Sequence, residues 1–87
     1  MKYQVSYTKA AVKQLKKLDK QTAKSIINYM QDIQKLKNPR ARGKKLSGDL
    51  CEFWRYRVGD FRILCKIEDD ILIVLVIAVG HRKDVYR

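Results

Sequence analysis

The segment FWRYRVGDFRILCKI, residues 53–67, decides the fold class of this 87-residue chain. On each side of Gly59-Asp60 its side chains follow a period of two, which is typical of β-strands. Gly followed by Asp between two such runs favours a tight hairpin turn. The segment therefore predicts two antiparallel strands, residues 52–58 and 61–67.

The residues before this hairpin predict one more strand and two helices. Residues 2–7 alternate between polar and apolar side chains and predict a short strand. Thr8 and Asp19 can each cap a helix that follows them, and the apolar residues after each recur at helical spacing. The first helix is expected to run to about Leu18 and the second to end at Asn38-Pro39, because the residue before proline leaves helical space. Almost no residues connect the two predicted helices, which predicts an antiparallel helical hairpin.

The remaining segments complete the predicted topology. Residues 40–48 are a basic loop, and residues 71–79 are apolar on both faces, so they predict a central strand that Gly80 ends. The order is βααβββ in a single domain, residues 1–87. The expected class is α+β, a small, mostly antiparallel four-stranded sheet covered on one face by the helical hairpin.

Charge points to a polyanionic partner. The chain has 20 Lys+Arg against 9 Asp+Glu and a net charge of +11. Residues 1–48 hold 13 of the cations and 2 of the acids, whereas the rest of the chain is balanced. So large a charge on a small domain favours nucleic acid, an anionic membrane or an acidic protein as partner.

Several functional classes are excluded by composition. Cys51 and Cys65 lack CxxC spacing and His81 is the only histidine, so neither a metal site nor another cofactor is expected. The longest apolar run, residues 71–79, is too short for a membrane helix, and the N-terminus has no apolar signal segment. A cytoplasmic location is therefore expected.

The arginines of the hairpin are candidate catalytic residues. Arg55 and Arg57 share one face of their strand, and Arg62 lies on the next strand. If these faces meet, three guanidinium groups converge on one anion such as a phosphate. The C-terminal tail is expected to add His81, Arg82 and Tyr86 to this group.

Each of these residues also has a purely structural interpretation. Arg55 and Arg57 could be solvated charges that protect an edge strand from aggregation. Arg62 could form a surface ion pair with Asp60 or Glu68.

Three blocks of the chain resemble the RelE/ParE toxin superfamily. They are LSG at 46–48, FWRYRVGDFRI at 53–63 and VGHRKDVY at 79–86, and the resemblance is closer to the RelE branch. It implies a toxin of a bacterial type II toxin–antitoxin system that cuts mRNA in the ribosomal A site without a metal. In such toxins the ribose 2′-OH attacks the adjacent phosphate and leaves a 2′,3′-cyclic phosphate and a 5′-OH.

The resemblance also implies roles for individual residues. Arg55 and Arg57 match the family's basic pair, and Arg62 matches its transition-state arginine. Arg82 would act at the leaving 5′-oxygen, and Tyr86 would stack on a base or orient the 2′-OH.

The general base has to be sought elsewhere, because arginine keeps its proton at any pH that a protein meets. His81 is the one residue near this group that titrates near neutrality, so it is the expected base.

Partners follow from charge and resemblance together. A set of lysines in the basic first half is expected to bind ribosomal RNA of the small subunit, the 16S rRNA, rather than take part in chemistry: Lys13, Lys16, Lys17, Lys44 and Lys45. A small acidic antitoxin is expected to form a hetero-oligomeric complex with the toxin.

Two alternatives remain open at the level of sequence. A ParE-type toxin of the same fold would bind and inhibit DNA gyrase without nuclease activity. A generic nucleic-acid-binding module is supported by the charge alone.

Overall fold

The computed structural model describes residues 2–46 and 53–81. In these ranges the elements follow in the order β1 (Gln4–Tyr7), α1 (Lys9–Lys17), α2 (Lys20–Lys35), β2 (Lys44–Lys45), β3 (Trp54–Val58), β4 (Phe61–Glu68) and β5 (Ile73–His81). The predicted α+β class and the opening strand–helix–helix order are confirmed. The sheet differs from the prediction in having a fifth strand, the two-residue β2.

The five strands form one mixed sheet in the order β1-β5-β4-β3-β2. β1 pairs in parallel with β5, and the other three pairs are antiparallel. β5 therefore lies between β1 and β4, the central position that its two apolar faces predict.

The bounds of β5 differ from the predicted residues 71–79. The strand starts at Ile73 because Leu72, with a φ of 54°, belongs to the preceding turn. Gly80 does not end it, since β4 is long enough to pair Arg62 with Gly80 and Phe61 with His81.

Both helices begin at the predicted caps. The side chain of Thr8 accepts a hydrogen bond from the backbone N–H of Ala11, and Asp19 does the same for Thr22. α2 ends at Lys35, earlier than predicted, because Leu36 already has extended backbone angles. No helix in the described part of the chain has the length and apolar character needed to cross a membrane.

The core lies between the helices and one face of the sheet. It brings together fully buried side chains from α2, the β3–β4 hairpin and β5: Ile26, Met30, Ile33, Tyr56, Ile63, Val74 and Val76. Because strand side chains alternate, the residues between these core positions project from the opposite face of the sheet.

Tyr56 joins the core to the chain that leaves α2. It is fully buried, and its hydroxyl donates a hydrogen bond of 2.5 Å to the carbonyl of Pro39, which is also buried. Burial raises the pKa of this phenol, so it stays protonated and remains a donor. The bond holds the 3₁₀ turn Pro39–Ala41 against β3, and the next residues are then close enough to pair as β2. The sequence gives no sign of this pairing, because residues 40–48 lack an apolar alternation.

We expect Tyr56→Phe to lower the free energy of unfolding by about 1–3 kcal/mol, because it leaves the buried Pro39 carbonyl without its donor. Tyr3→Phe is the control, since the hydrogen bond from Tyr3 to Asp69 is exposed and water can replace it. Denaturant unfolding measures both. Equal losses for the two variants would contradict the structural role assigned to Tyr56.

Candidate functional site

The β3–β4 hairpin sets three arginines on one face of the sheet. Arg57 lies directly opposite Arg62, and Arg55 lies opposite Leu64. Residues opposite each other in an antiparallel pair project from the same face. The arginines therefore share the face turned away from the helices, as the period of two predicts.

The short strand β2 brings a fourth cation to this group, because Lys44 lies directly opposite Arg55. The sequence predicts Lys44 as a contact to ribosomal RNA, apart from the arginines, whereas the register sets it beside Arg55. We call Lys44, Arg55, Arg57 and Arg62 the arginine face. Two rows cross it, roughly 7 Å apart, since alternate residues of a strand are separated by two rises. The rows are Lys44–Arg55–Leu64–Ala78 and Arg57–Arg62–Gly80.

Each row places two like charges side by side. Like charges directly opposite each other destabilise a sheet, so Lys44 beside Arg55 and Arg57 beside Arg62 both carry a cost. Among the described residues, no carboxylate forms an ion pair with Lys44, Arg55 or Arg57. Three of the four cations thus have no carboxylate partner in the described part of the chain, which makes a positive surface that suits a phosphate backbone.

Small residues of β5 end both rows of the arginine face. Ala78 ends one row and Gly80, which has no side chain, lies directly beside Arg62. The Nε atoms of Arg55 and Arg62 are shielded from solvent, so these two side chains lie against the sheet with their inner portions covered. No side chain of β5 therefore projects from the sheet directly beside Arg62.

His81 lies on the other face of the sheet. A bulge interrupts the β4–β5 ladder, because Leu64 pairs with Ala78 whereas the next residue, Cys65, pairs with Val76. The extra residue, Ile77, reverses the alternation of everything after it. His81 consequently lies opposite Phe61, and the two rings contact each other edge to face with centroids 5.9 Å apart. The structure does not bring His81 to the arginines.

The bulge is stabilised by the first helix. The hydroxyl of Thr8 donates to the carbonyl of Ile77 at 3.1 Å, and the side chain of Gln14 accepts from the backbone N–H of Val79 at 2.7 Å. The carbonyl of Ile77 and the N–H of Val79 both lie beyond Val76, the last residue of β5 that pairs with β1. The contacts with α1 therefore stabilise the bulge that places His81 on the face opposite the arginines.

The position of β2 depends on close contacts with β3. The indole N–H of Trp54 donates to the carbonyl of Arg42 at 2.7 Å. Gly43 has a φ of +83°, and a Cβ there would lie 2.4 Å from the carbonyl oxygen of Arg55. Only glycine fits this approach, so the chain enters β2 in a single defined position.

Two arginines of the basic loop are engaged within the protein. Arg40 forms a bidentate ion pair with Asp69 at 2.9 and 3.0 Å, and Tyr3 donates a hydrogen bond to the same carboxylate. Arg40 and then Tyr3 lower the pKa of Asp69 to about 2. The guanidinium of Arg42 lies over the ring of Tyr29, 5.8 Å from its centroid. These contacts fix the loop and leave exposed Lys44 and Lys45 at its end.

The five predicted RNA-binding lysines do not form one surface. Exposed Lys13, Lys16 and Lys17 lie on α1, which covers the core face of the sheet. Lys45 lies opposite Trp54 and so projects from that same face, whereas Lys44 belongs to the arginine face. Arg82 and Tyr86 lie outside the described residues.

Cys65 is not a candidate nucleophile. It is fully buried on the core face, and burial raises the pKa of its thiol, so the reactive thiolate is disfavoured.

The sequence model of the family described as the ParE toxin of the type II toxin–antitoxin system parDE matches residues 5–86. The chain belongs to this toxin family. The match covers nearly the whole chain, so the arginine face lies within the family's own domain.

Curated relatives have RelE-type names. The chain is 31% identical to Toxin RelG of Mycobacterium tuberculosis over 88 residues, which cover all of this chain and 99% of that protein. It is 37% identical over 90 residues to a putative RelE-like toxin protein of Escherichia coli, covering all of this chain and 93% of the relative. The superfamily resemblance drawn from the sequence is confirmed.

A solved toxin–antitoxin complex has the same fold. This chain aligns with a chain of the RelBE2 complex of Mycobacterium tuberculosis with a TM-score of 0.84 and 28% identity, covering 94% of this chain and 100% of that one. The α+β fold with a helical pair on one face of the sheet is therefore the fold of this family.

Proposed function

We propose that this toxin is a ribosome-dependent endoribonuclease that cuts mRNA in the ribosomal A site and so inhibits translation. The observation that carries the proposal is the arginine face, where cations lie directly opposite one another in two cross-strand pairs on one side of the sheet. Such pairs cost stability unless an anion binds between them. An RNA backbone supplies phosphates at the required spacing and charge.

In the proposed reaction the arginines stabilise the charge that develops at phosphorus. The 2′-OH attacks the adjacent phosphate, the bond from phosphorus to the 5′-oxygen breaks, and the products are a 2′,3′-cyclic phosphate and a 5′-OH. Arg57 and Arg62, which lie opposite each other, hold the non-bridging oxygens in the transition state. Arg55 binds the backbone beside them. By resemblance, Arg82 stabilises the leaving 5′-oxygen and Tyr86 orients the nucleotide.

In this mechanism the 2′-OH proton passes to water or to a phosphate oxygen, and the leaving 5′-oxygen takes a proton from the same source to become the 5′-OH. Arginine does not accept a proton at neutral pH, and His81 lies on the opposite face of the sheet beside Phe61. Catalysis then rests on positioning and on electrostatic stabilisation, and no metal or other cofactor is required.

A second candidate function is inhibition of DNA gyrase without nuclease activity. The matching family model is described as ParE toxin, and one fold can carry both functions. The two are separated by adding the protein to translating ribosomes and mapping mRNA ends, and to gyrase with plasmid DNA. Cuts in phase with codons support the endoribonuclease, whereas loss of supercoiling with intact mRNA supports the gyrase inhibitor.

The antitoxin is proposed to dock on an apolar groove between the two helices. The groove, about 440 Å³, is lined by Tyr7, Val12, Leu15, Leu18, Ala23 and Ile27, and Lys16 and Lys20 also border it. Val12 and Ile27 are each 38% exposed. An amphipathic acidic segment that folds on the toxin would cover the apolar side chains and pair its carboxylates with the lysines.

We expect Arg62→Ala to lower the single-turnover rate of mRNA cleavage about a hundredfold, on the order of 3 kcal/mol, because one transition-state cation is lost. Growth arrest on expression should disappear with it. Lys66→Ala is the matched control, since Lys66 lies on the same strand and face but contacts Glu68 at 3.5 Å. Arrest by Arg62→Ala at wild-type expression would contradict the catalytic assignment.

Replacing Lys13, Lys16 and Lys17 together by Gln should weaken ribosome binding. The slope of log affinity against log salt should become shallower by roughly 2, because three phosphate contacts are removed. Cleavage at saturating toxin should stay within a few-fold of wild type. A complete loss at saturation would place these lysines in the chemistry instead of in docking.

Val12→Glu and Ile27→Glu should each weaken binding of the cognate antitoxin roughly tenfold or more, because each puts a negative charge where an apolar, acidic partner docks. Ile71→Glu is the control, since Ile71 is 62% exposed and does not line the groove. Titration calorimetry measures the affinity, and cleavage by all three variants should match the wild type. Undiminished affinity for both groove variants would place the antitoxin elsewhere.

A further inference from the structure

The two lysines of β2 differ in only one respect, the face of the sheet on which they lie. Both are exposed, adjacent in sequence and equal in charge. Lys44 lies opposite Arg55 on the arginine face, and Lys45 lies opposite Trp54 on the helix-covered face. Replacing either lysine changes the net charge by the same amount. A difference in activity between the two variants is therefore due to the face of the sheet on which the lysine lies.

Close contacts with β3 hold Lys44 in its register. Trp54 binds the carbonyl of Arg42, and Gly43 packs against β3 so closely that a Cβ would be 2.4 Å from Arg55 and 2.6 Å from the indole nitrogen of Trp54. A shift of β2 by one residue would exchange the faces of the two lysines and break these contacts. The chain thus holds Lys44 beside Arg55 in spite of the repulsion between them.

The row that contains Lys44 is separate from the proposed catalytic row. Arg57 and Arg62 form one pair, and Lys44 and Arg55 form a second pair roughly 7 Å away, one alternate position along β3. This separation is comparable with that of successive phosphates in an extended RNA strand. One pair is thus placed to bind the phosphate that is cut, and the other to bind its neighbour.

We propose that Lys44 and Arg55 form a subsite for the phosphate adjacent to the scissile one in the RNA strand. The inference rests on the proposed endoribonuclease function and adds a binding residue to it. The subsite fixes the register of the RNA against Arg57 and Arg62, so that the correct linkage lies between them. Lys44 acts in this subsite through its charge.

The test compares Lys44→Gln with Lys45→Gln in single-turnover cleavage of mRNA on ribosomes, with toxin saturating. Lys44→Gln should slow cleavage at saturation about 10- to 100-fold, the effect of losing one hydrogen bond to a charged group, whereas Lys45→Gln should lower ribosome affinity without this loss of rate at saturation. Lys44→Arg should restore most of the rate. Thermal unfolding controls for the fold, and Lys44→Gln should not lower the Tm, since it removes a like-charge pair.

A second substrate identifies the phosphate. The mRNA carries an uncharged methylphosphonate at one of the two linkages that flank the cleavage site. At one of them the loss caused by Lys44→Gln should vanish, because the charge that Lys44 binds is already absent.

Equal cleavage rates for the Lys44 and Lys45 variants would overturn the subsite and leave the endoribonuclease intact. The same holds if the loss from Lys44→Gln and the loss from the methylphosphonate multiply at both flanking linkages. Wild-type toxin that leaves the mRNA uncut on ribosomes would overturn the endoribonuclease and the subsite together.

Discussion

The register of the β3–β4 hairpin is the constraint on which the rest of this protein depends. The turn at Gly59, with a φ of +58°, sets Tyr56 opposite Ile63 and Arg57 opposite Arg62. The first pair enters the core beneath the helices, and the second projects from the other face. Since strand side chains alternate with a period of two, a slip of one residue would bury the arginines and expose the core. Hydrophobic burial and the placement of the cations are therefore fixed by the same hydrogen bonds.

The core face also positions the basic loop. Tyr56 and Trp54 each donate a hydrogen bond to a carbonyl of the chain that follows α2, those of Pro39 and Arg42. These contacts bring β2 to the edge of the sheet and set Lys44 beside Arg55. Trp54 and Tyr56 on the core face thus determine that Lys44 lies beside Arg55 on the arginine face.

The like-charge pairs of the arginine face are a local conflict in an otherwise consistent structure. The caps, the core and the turn all favour the fold, whereas Lys44 beside Arg55 and Arg57 beside Arg62 oppose it. Sites that break a local rule are where function is expected, because a bound anion removes the repulsion. Family membership accounts for the fold and the toxin class, and this conflict distinguishes the face on which RNA is proposed to bind.

The sequence by itself determined the strands of the hairpin, both helix caps, the central place of β5 and the shared face of Arg55, Arg57 and Arg62. Each of these follows from a local pattern, since capping and alternation involve residues close together in the chain. The tertiary structure alone decided two further points. Lys44 joins the arginines through pairing of a loop that has no strand pattern, and His81 leaves them because of the bulge at Ile77, held by Thr8 and Gln14. Both depend on contacts between residues distant in sequence, and a single extra residue in a ladder reverses every face that follows it.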